Sequence, residues 1–462
     1  MLPARAAERM AAVAAGLSSA PTPSWWLEHA GGTDPSDTAD PPPVPEAADF
    51  VVVGGGLSGV STAYWLNKLG HSCVLIEGRG LAGGASGRNG GVLSGGSEFH
   101  KANIEMLKGI MEEHGGFEDF EYRLGGYLRI AFEGSDEAKE YAEAELDADR
   151  QELWGAERCA AELQTDTVDG LKIACGIFGK TSGHFWPAKM VHAIAAGATN
   201  TTFCVGTHAL SLEPAAADGS GVVLQTDRGA IRCKRVAVCT NGWSPRLLPE
   251  LAQVLYPVRN GVIMTAPVNA WSWEGSVSIG DGPEEIYAMR RPDGRICIGG
   301  ARRRDPSCSW FTSEWQGPEE QPGSDDDSTI VAPVAARLRE FLGQLIGEEE
   351  LVVESEWTGV LGFTLDGKPL AGAMPGEAHG GRVYVGAGYC GHGMPTCSGV
   401  GKALAQQMAG AEGHDVSSIA ACDTATIEEY VRSLDPGRFS QLSGAAAAAA
   451  VATAAVQPEP EK

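Results

Sequence analysis

The sequence predicts an α/β (α+β) chain of two substructures, one built on a parallel βαβ unit and the other on antiparallel strands. Its 462 residues exceed the size at which a single hydrophobic core stops growing. The runs DFVVVGGG and CVLIEG are short and β-branched, and they bracket a helical stretch from Leu57 to Leu69, as in a buried parallel unit. The runs GYLRIAF, GVIMTA, EIYAMRR and RICIGGA alternate in polarity and are separated by turns such as RPDG, which is typical of antiparallel strands.

Segments rich in helix and strand breakers divide the chain. Residues 31–47 are rich in proline and acidic residues, so we expect an extended lead-in before a fold that starts near Asp49. Residues 319–328 predict a surface loop, and the chain after about Ser443 predicts an alanine-rich tail. Helices are predicted over about residues 136–152, 187–196, 333–345 and 398–408.

Composition and charge exclude several classes of partner. A formal net charge of −25 repels phosphate backbones and anionic lipid, which argues against nucleic acid and acidic membranes. The longest apolar run is shorter than the roughly 20 residues that a membrane-spanning helix needs, so no span is expected. Eleven scattered cysteines without a CxxC pair predict a reducing compartment and no metal site. We expect a cytoplasmic protein, with organelle import through the first 20 residues as the alternative.

The first glycine-rich stretch has the pattern Gly54-x-Gly56-x-x-Gly59. In such a turn the three glycines serve the tight turn, the close approach of backbone to a diphosphate, and the packing of helix on strand. The helix that begins near Leu57 directs its positive end at the same place. The next strand ends at Glu77, which is positioned to accept hydrogen bonds from a ribose diol and would repel a 2′-phosphate. The stretch therefore predicts a dinucleotide site for NAD or FAD.

A second glycine-rich run, GLAGGASGRNGGV, follows almost at once. An NAD enzyme does not need a second such loop directly after the ribose carboxylate, whereas a flavin does. Its glycine-flanked polar residues, Ser86, Arg88 and Asn89, suit the pyrophosphate and the edge of an isoalloxazine ring. The pair of loops favours FAD.

Three ordered motifs resemble a known family: GASGRNGG, VAVCTNGWSPRLLP and EWTGVLGFTLDGKPLAG with the following VYVGAGYCGHGMPTCSGVGKALAQQM. Together they resemble the FAD-dependent oxidoreductases of the D-amino-acid oxidase and sarcosine/glycine oxidase superfamily, and most closely the γ-glutamylputrescine oxidoreductase-like members. The resemblance extends from about Trp25 to Leu434. It implies a Rossmann-type FAD-binding domain that is interrupted by a substrate domain with a mixed, mostly antiparallel sheet. The implied segments are residues 1–48 (arm and lead-in), 49–115, 187–250 and 356–434 (FAD-binding domain), 116–186 and 251–355 (substrate domain), and 435–462 (tail).

The resemblance also implies which residues contact FAD. His392, in the motif GYCGHGMP, is expected beside the flavin ring, with a structural histidine as the alternative, and the helix from about Ser398 is expected to point its N-terminus at the pyrimidine edge. Relatives that tether flavin use a cysteine or histidine that this chain lacks in the matching turns, so we predict noncovalent FAD. The predicted cofactor-binding residues are Gly54, Gly56, Leu57, Ser58, Gly59, Glu77, Gly78, Ser86, Arg88, Asn89, Gly90, Gly91, Thr240, Asn241, Gly242, Gly391, His392, Gly393 and Met394.

The chain departs from the family pattern at two places. The turn that carries a carboxylate-binding arginine in glycine oxidase-like enzymes has Leu361 here, so the strand arginines Arg259, Arg290 and Arg302 become candidate anchors, unless they are structural. The lysine that promotes oxygen reduction in sarcosine oxidase-like enzymes has no match, because residues 235–355 contain no lysine.

These patterns predict an enzyme that oxidises the C–N bond of an amine or amino-acid-derived substrate to an imine through FAD. His392, Arg290 and Arg259 are the predicted catalytic residues. Oxygen is the expected electron acceptor, with a quinone or electron carrier as the alternative, and a flavin-binding module without catalysis is a third reading.

Overall fold

A computed structural model of the protein describes residues 20–31, 42–215, 221–280, 285–307, 323–348, 351–376, 379–417 and 425–439. The first 19 residues, most of the proline-rich lead-in and the alanine-rich tail therefore lie outside the described residues. No helix in the described ranges is both long enough and apolar enough to span a bilayer.

The described residues form strands and helices throughout the chain. The strands are β1 (Ala47–Val53), β2 (Cys73–Ile76), β3 (Val92–Leu93), β4 (Tyr127–Phe132), β5 (Gln151–Gly155), β6 (Thr167–Val168), β7 (Leu171–Gly179), β8 (Gly183–His184), β9 (Thr201–Cys204), β10 (Ala209–Pro214), β11 (Val222–Thr226), β12 (Gly229–Val238), β13 (Leu255–Thr265), β14 (Ser276–Ile279), β15 (Ile286–Arg290), β16 (Ile296–Gly300), β17 (Val353–Thr364), β18 (Leu370–Ala373) and β19 (Val383–Ala387). The α-helices are α1 (Trp25–Glu28), α2 (Leu57–Lys68), α3 (Glu98–Glu113), α4 (Asp136–Glu143), α5 (Ala156–Leu163), α6 (Pro187–Gly197), α7 (Ala332–Ile346), α8 (Cys397–Ala411) and α9 (Ala425–Ser433). Short 3₁₀ helices cover Ala85–Gly87, Asn241–Arg246, Pro249–Gln253, Arg302–Arg304 and Pro436–Phe439.

The first sheet has a parallel centre. Its eight strands include the path β10-β11-β12-β1-β2-β9, with β19 beside β12 and β18 beside β19. β12, β1, β2 and β9 run parallel, as do β12 and β19. Helices α2 and α8 pack against each other, and a Cβ on Gly401 would lie 2.7 Å from the Cβ of Ser61. A glycine at this crossing therefore lets the two helices approach closely.

The second sheet is mostly antiparallel. Its main path is β17-β13-β16-β15-β14-β4-β7-β5, with β6 beside β7, and only β14 and β4 pair in parallel. Helix α7 buries Leu338, Phe341 and Leu345 in the core of this sheet. The two sheets confirm the predicted fold class.

Two details differ from the sequence expectations. The predicted helix over residues 136–152 is wrong, because α4 ends at Glu143 and Gln151 begins strand β5, which pairs with β7. Pairing in the sheet has overridden the helix propensity of this acidic segment. In addition, β17 pairs with β13 along its whole length, so the predicted segment boundary after Ser355 falls inside a strand of the antiparallel sheet. The segment boundaries themselves stay predictions.

Buried His184 gives the fold a defined dependence on pH. The residue is 3% exposed, and burial, together with the nearby charge of Arg291, lowers its pKa to about 4. This pKa lies below that of an unfolded histidine. The contribution of neutral His184 to the free energy of unfolding is therefore fully present above pH about 6.5 and is lost as the pH falls toward 4. We expect His184→Gln to remove up to about 3 kcal/mol of this pH dependence. Urea unfolding of both proteins between pH 7 and pH 4 measures it, and parallel curves would contradict the assignment.

Candidate active site

A cavity of about 1130 Å³ lies between the parallel and the antiparallel sheet. Its lining comes from both, with Gly54 and Glu77 on one side and Tyr127, Asn260 and Tyr287 on the other. Single ligand pockets in proteins commonly have volumes of roughly 300–1,000 Å³. The cavity is therefore large enough for a dinucleotide and a second, smaller molecule.

The first glycine turn is built as its spacing predicts. Gly54 has a φ of +111°, and a Cβ there would lie 2.6 Å from the carbonyl oxygen of Cys239. A Cβ on Gly59 would lie 1.8 Å from the carbonyl oxygen of Gly54, so only glycine lets α2 pack this closely on the turn. Gly56 lines the cavity next to the Oγ of Ser86, whereas Gly59 is not part of the lining.

The N-terminus of α2 opens onto the cavity. The backbone N–H of Leu57 donates to the Oγ of Ser86 at 2.8 Å, and Ser58 accepts a hydrogen bond from the hydroxyl of Tyr389 at 2.7 Å. Leu57, Ser58 and Ser86 all line the cavity. The first-turn amides of a helix have no intrahelical partner and carry its positive end, so this point of the cavity suits a diphosphate.

Glu77 lies at the end of β2 and lines the cavity together with Gly78. Its carboxylate accepts the backbone N–H of Gly55 at 2.6 Å and that of Arg79 at 2.7 Å. Burial raises the pKa of Glu77, and these two hydrogen bonds oppose that rise. Arg79 also binds Asp327 through two hydrogen bonds of 2.7 and 2.9 Å. The carboxylate is thus held in one orientation at the strand end, where a ribose diol would reach it.

The second glycine loop contributes Ser86, Asn89, Gly90 and Gly91 to the lining. Asn89 shapes the loop, since its amide donates to the carbonyls of Ala85 and Ser86 and its oxygen accepts the N–H of Gly91. A Cβ on Gly90 would lie 2.5 Å from the ring of Tyr287. Gly90 therefore lets the loop touch the antiparallel sheet.

Arg88 points away from the cavity, although it belongs to the same loop. Its guanidinium donates to the carbonyls of Thr22, Gly83 and Thr358, and the side chain is not part of the lining. Burial lowers the pKa of Arg88 to about 10. The structure thus places this predicted cofactor residue among backbone carbonyls.

The two later motifs meet at the far end of the cavity. Thr240 and Asn241 line it, whereas Gly242 does not, and the Oδ1 of Asn241 accepts the N–H of Gly388 at 3.0 Å. A Cβ on Gly242 would lie 2.6 Å from the carbonyl oxygen of Leu361. The glycine is therefore needed for close packing on β17.

The motif GYCGHGMP lines the cavity through Gly391, His392, Gly393 and Met394. The side chain of His392 is exposed, and its Nδ1 lies 3.1 Å from the carbonyl oxygen of Cys390. A carbonyl only accepts, so Nδ1 carries the hydrogen and Nε2 of the neutral ring presents a lone pair. Helix α8 begins at Cys397, three residues after Met394 and close to the predicted start, and Cys397 itself lines the cavity.

A polar network covers the wall of the antiparallel sheet. The Nε of Arg302 donates to Asn260 at 2.8 Å, Asn260 donates to the hydroxyl of Tyr287 at 3.2 Å, and Arg302 lies 3.5 Å from the carboxylate of Glu285. The hydroxyl of Tyr127 donates to Glu285 at 3.1 Å. Burial raises the pKa of both tyrosines, so they stay protonated donors at neutral pH. All five residues line the cavity.

Of this network, the sequence reasoning identified only Arg302. Glu285 and Tyr287 are two residues apart in the run EIYAMRR, which puts both side chains on one face of the strand. The alternation of the strand therefore indicates that the two side chains share a face, but not that this face lines a cavity.

The other two candidate arginines lie outside the cavity lining. Arg259 binds Asp305 through two hydrogen bonds of 2.7 Å each. Arg290 ends β15, and its guanidinium lies 3.5 Å from the position of a Cβ on Gly294, in the turn before β16. The lining therefore contains the predicted catalytic residue His392 but neither of these two arginines.

These observations fit FAD. The Cβ-free turn at Gly54 and Gly56, the helix N-terminus, the oriented carboxylate of Glu77 and the second glycine loop lie along one connected cavity. Within the described ranges, no group of three or more His, Cys, Asp or Glu residues is arranged to hold a metal ion.

Known proteins resemble this chain over most of its length. The probable oxidoreductase OrdL of Rhizobium meliloti (strain 1021) is 26% identical over 78% of this chain and 82% of that protein. The γ-glutamylputrescine oxidoreductase of Escherichia coli (strain K12) is 24% identical over 84% of this chain and 89% of that protein. The glycine oxidase of Bacillus licheniformis is 22% identical over 78% of this chain and 93% of that protein.

Solved structures share the fold. The glycine oxidase from Geobacillus kaustophilus superposes with a TM-score of 0.63 at 20% identity, over 81% of this chain and 96% of that chain. The L-proline dehydrogenase from P. horikoshii superposes with a TM-score of 0.66 at 20% identity, over 86% of this chain and 99% of that chain. The DAO family profile, described as FAD dependent oxidoreductase, matches residues 49–407. The protein therefore belongs to this family and is an FAD-dependent oxidoreductase.

Proposed function

We propose that the protein oxidises the C–N bond of an amine or amino-acid-derived substrate to an imine, with O₂ as the electron acceptor and H₂O₂ as its product. The observation that carries the proposal is the polar network of Tyr127, Glu285, Arg302, Asn260 and Tyr287, which lines the same cavity as the predicted FAD cradle. The names of the E. coli and Bacillus relatives support a substrate of this class.

The proposed reaction requires no side chain that forms a covalent bond with the substrate. The carbon loses a hydride and the neutral amine loses a proton, which leaves a C=N bond that water then hydrolyses. When bound, FAD would supply the acceptor for the two electrons, and O₂ would take up two electrons and two protons to give H₂O₂. The protein has to orient the substrate, exclude water and stabilise charge.

The residues of the cavity suit these tasks. Arg302 and Glu285 offer opposite charges within 3.5 Å of each other, so they can orient a polar substrate that carries an amine. The N-terminus of α8 brings a positive helix end to the site, which stabilises negative charge. Nε2 of His392 carries a lone pair in the neutral ring and can accept a proton in the same part of the cavity. We assign the substrate-orienting role to Arg302, because Arg259 and Arg290 lie outside the lining.

The cofactor contacts remain proposals as well. We assign them to the predicted residues that line the cavity, and we give Gly59, Arg88 and Gly242 structural roles, because none of the three belongs to the lining. We propose noncovalent attachment, because relatives tether flavin through a cysteine or a histidine in two turns, and the matching stretches here, Trp357 to Asp366 and Ser86 to Leu93, contain no cysteine and no histidine, respectively. The cytoplasmic location stays a prediction.

A second candidate differs only in the electron acceptor. Among the described residues, no lysine lines the cavity, although five arginines do. In sarcosine oxidase-like enzymes a lysine promotes oxygen reduction, so the absence of lysine from the lining is the observation that supports the alternative, a dehydrogenase that passes electrons to a quinone or carrier.

An anaerobic scan tests both candidates. The FAD-loaded protein is mixed with primary amines, secondary amines and amino acids, and the absorbance band of oxidised flavin is followed. At least one class should bleach the band, and readmitted air or an artificial quinone then identifies the acceptor by the faster reoxidation. If dithionite bleaches the flavin but no amine does, the proposed reaction is wrong.

A further inference from the structure

We propose that the N-terminal strap, defined as residues 20–31, holds the FAD-binding loop of residues 84–91 in shape, and that Trp26 is its main positioning residue. The strap contains helix α1, and neither Trp25 nor Trp26 lines the cavity. Its effect on FAD is therefore transmitted through the loop. The inference depends on FAD binding and not on the identity of the substrate.

Two side chains of the strap donate to backbone carbonyls of the loop. The Oγ of Ser24 donates to the carbonyl of Gly87 at 2.6 Å, and the Nε1 of Trp26 donates to the carbonyl of Asn89 at 2.6 Å. A Cβ on Gly87 would lie 2.8 Å from the side chain of Leu27, so the strap lies directly on the loop. Gly87 is buried and Asn89 is half-buried, and a carbonyl that is shielded from water costs free energy when it loses its donor. The two contacts therefore restrict the movement of the loop.

A third link runs in the opposite direction, from the loop to the strap. Arg88 donates to the carbonyl of Thr22 at 2.7 Å and to that of Thr358 at 3.0 Å. The backbone N–H of Thr358 in turn donates to the Oγ1 of Thr22 at 2.9 Å. The strap is thus fastened to strand β17 as well as to the loop.

The tryptophans of the strap are themselves rigidly held. Trp25, Trp26 and Trp186 surround the guanidinium of Arg291, whose distances from the three ring centres are 4.5, 4.8 and 4.6 Å. The Nε1 of Trp186 donates to the carbonyl of Trp26 at 2.9 Å. Arg291 is 3% exposed and pairs with Glu121. Cation–π contacts in a buried cluster are stronger than exposed ones, so the indole of Trp26 has little freedom to move.

Hydrogen bonds within the loop connect the strap to the cofactor site. Asn89, whose carbonyl Trp26 binds, also bonds Ala85, Ser86 and Gly91 through its side chain. Ser86 accepts the first amide of α2. The chain of contacts therefore runs from Trp26 through Asn89 and Ser86 to the helix end that faces the diphosphate.

Trp26→Phe tests the proposal, since it removes the N–H donor and keeps an aromatic ring. We expect FAD to leave the loaded protein about tenfold faster, because the half-buried carbonyl of Asn89 loses its hydrogen-bond donor. Release is followed by the rise in flavin fluorescence on dilution, and the fine structure of the bound-flavin absorbance band should change too. Trp25→Phe is the matched control, as Trp25 lies in the same cluster without a hydrogen bond to the loop among the described contacts. Its effect on FAD release should be smaller than that of Trp26→Phe, because phenylalanine keeps an aromatic face for Arg291 and no hydrogen bond to the loop is lost.

Ser24→Ala repeats the test at the second carbonyl and keeps the proposal testable if Trp26→Phe does not fold. Faster release in either of these variants, without a matching change in Trp25→Phe, supports the proposal. If the two tryptophan variants speed FAD release equally, in proportion to their loss of thermal stability, the proposal is wrong and the strap only contributes to the packing of the core. Unchanged release and spectrum in both Trp26→Phe and Ser24→Ala would overturn it as well.

Discussion

Gly59→Ala is expected to abolish FAD binding and to destabilise the parallel sheet by at least about 3 kcal/mol. A Cβ at this position would lie 1.8 Å from the carbonyl oxygen of Gly54, which is backbone and cannot rotate away. Helix α2 would have to move off the turn, and its N-terminus would move with it. Because the turn and the helix end form one side of the cavity, the diphosphate site is lost together with the packing.

Visible absorbance of the purified variant after incubation with FAD, together with urea unfolding, measures this effect. Gly109→Ala is the matched control, because a Cβ at Gly109 within helix α3 meets nothing within 4 Å. This control should bind FAD as the wild type does and gain up to about 1 kcal/mol from its better helix propensity. A yellow, stable Gly59→Ala protein would contradict the role of this close contact.

Arg302→Met is expected to lower kcat/KM at least about 100-fold for whichever amine bleaches the flavin, which corresponds to about 2.7 kcal/mol of transition-state stabilisation. Arg302 is 2% exposed and joins Asn260 to Glu285 in the cavity wall. Methionine keeps much of the length but leaves both partners without the guanidinium. FAD should stay bound, since the network lies on the wall formed by the antiparallel sheet, whereas the glycine turn and Glu77 lie on the opposite side of the cavity.

Two further variants separate a role in the site from a role in the fold. Arg302→Lys restores the charge without the fork of donors, so we expect partial recovery of kcat/KM. Arg290→Met changes an arginine at the end of strand β15 and outside the cavity lining, whereas Arg302 begins the 3₁₀ helix after β16, and it should alter kcat/KM less than about threefold. If Arg302→Met turns over as fast as the wild type, or if Arg290→Met is equally impaired, the assignment of Arg302 is wrong.

The local features of the FAD cradle were predictable because they are short and continuous in the chain. The family, the fold class and the FAD cofactor, all predicted from the sequence, are confirmed. Gly54, Gly56 and Gly59 occur within six residues, and their turn geometry depends on backbone conformation and on contacts with the adjacent strand. The spacing of the three glycines is therefore enough to predict the turn.

The polar network on the antiparallel-sheet wall of the cavity was not predictable in the same way. Tyr127, Asn260, Glu285 and Arg302 come from different elements, brought together by the order of strands in the antiparallel sheet. Strand order is set by packing and pairing between distant segments, which no local pattern encodes. For the same reason the sequence could not distinguish Arg302 from Arg259, whose partner Asp305 lies 46 residues away.

The cradle for the dinucleotide can be derived from local sequence, because glycine spacing, a strand-end carboxylate and a helix start act over a few residues. Three outcomes depend on the folded chain: Arg302 is the candidate anchor that lines the cavity, the predicted helix over residues 136–152 gives way to strand β5, and Trp26 binds the loop 63 residues away. Those outcomes depend on the burial and hydrogen bonding of groups far apart in the chain, and the free energy of such contacts exists only once the whole fold is formed.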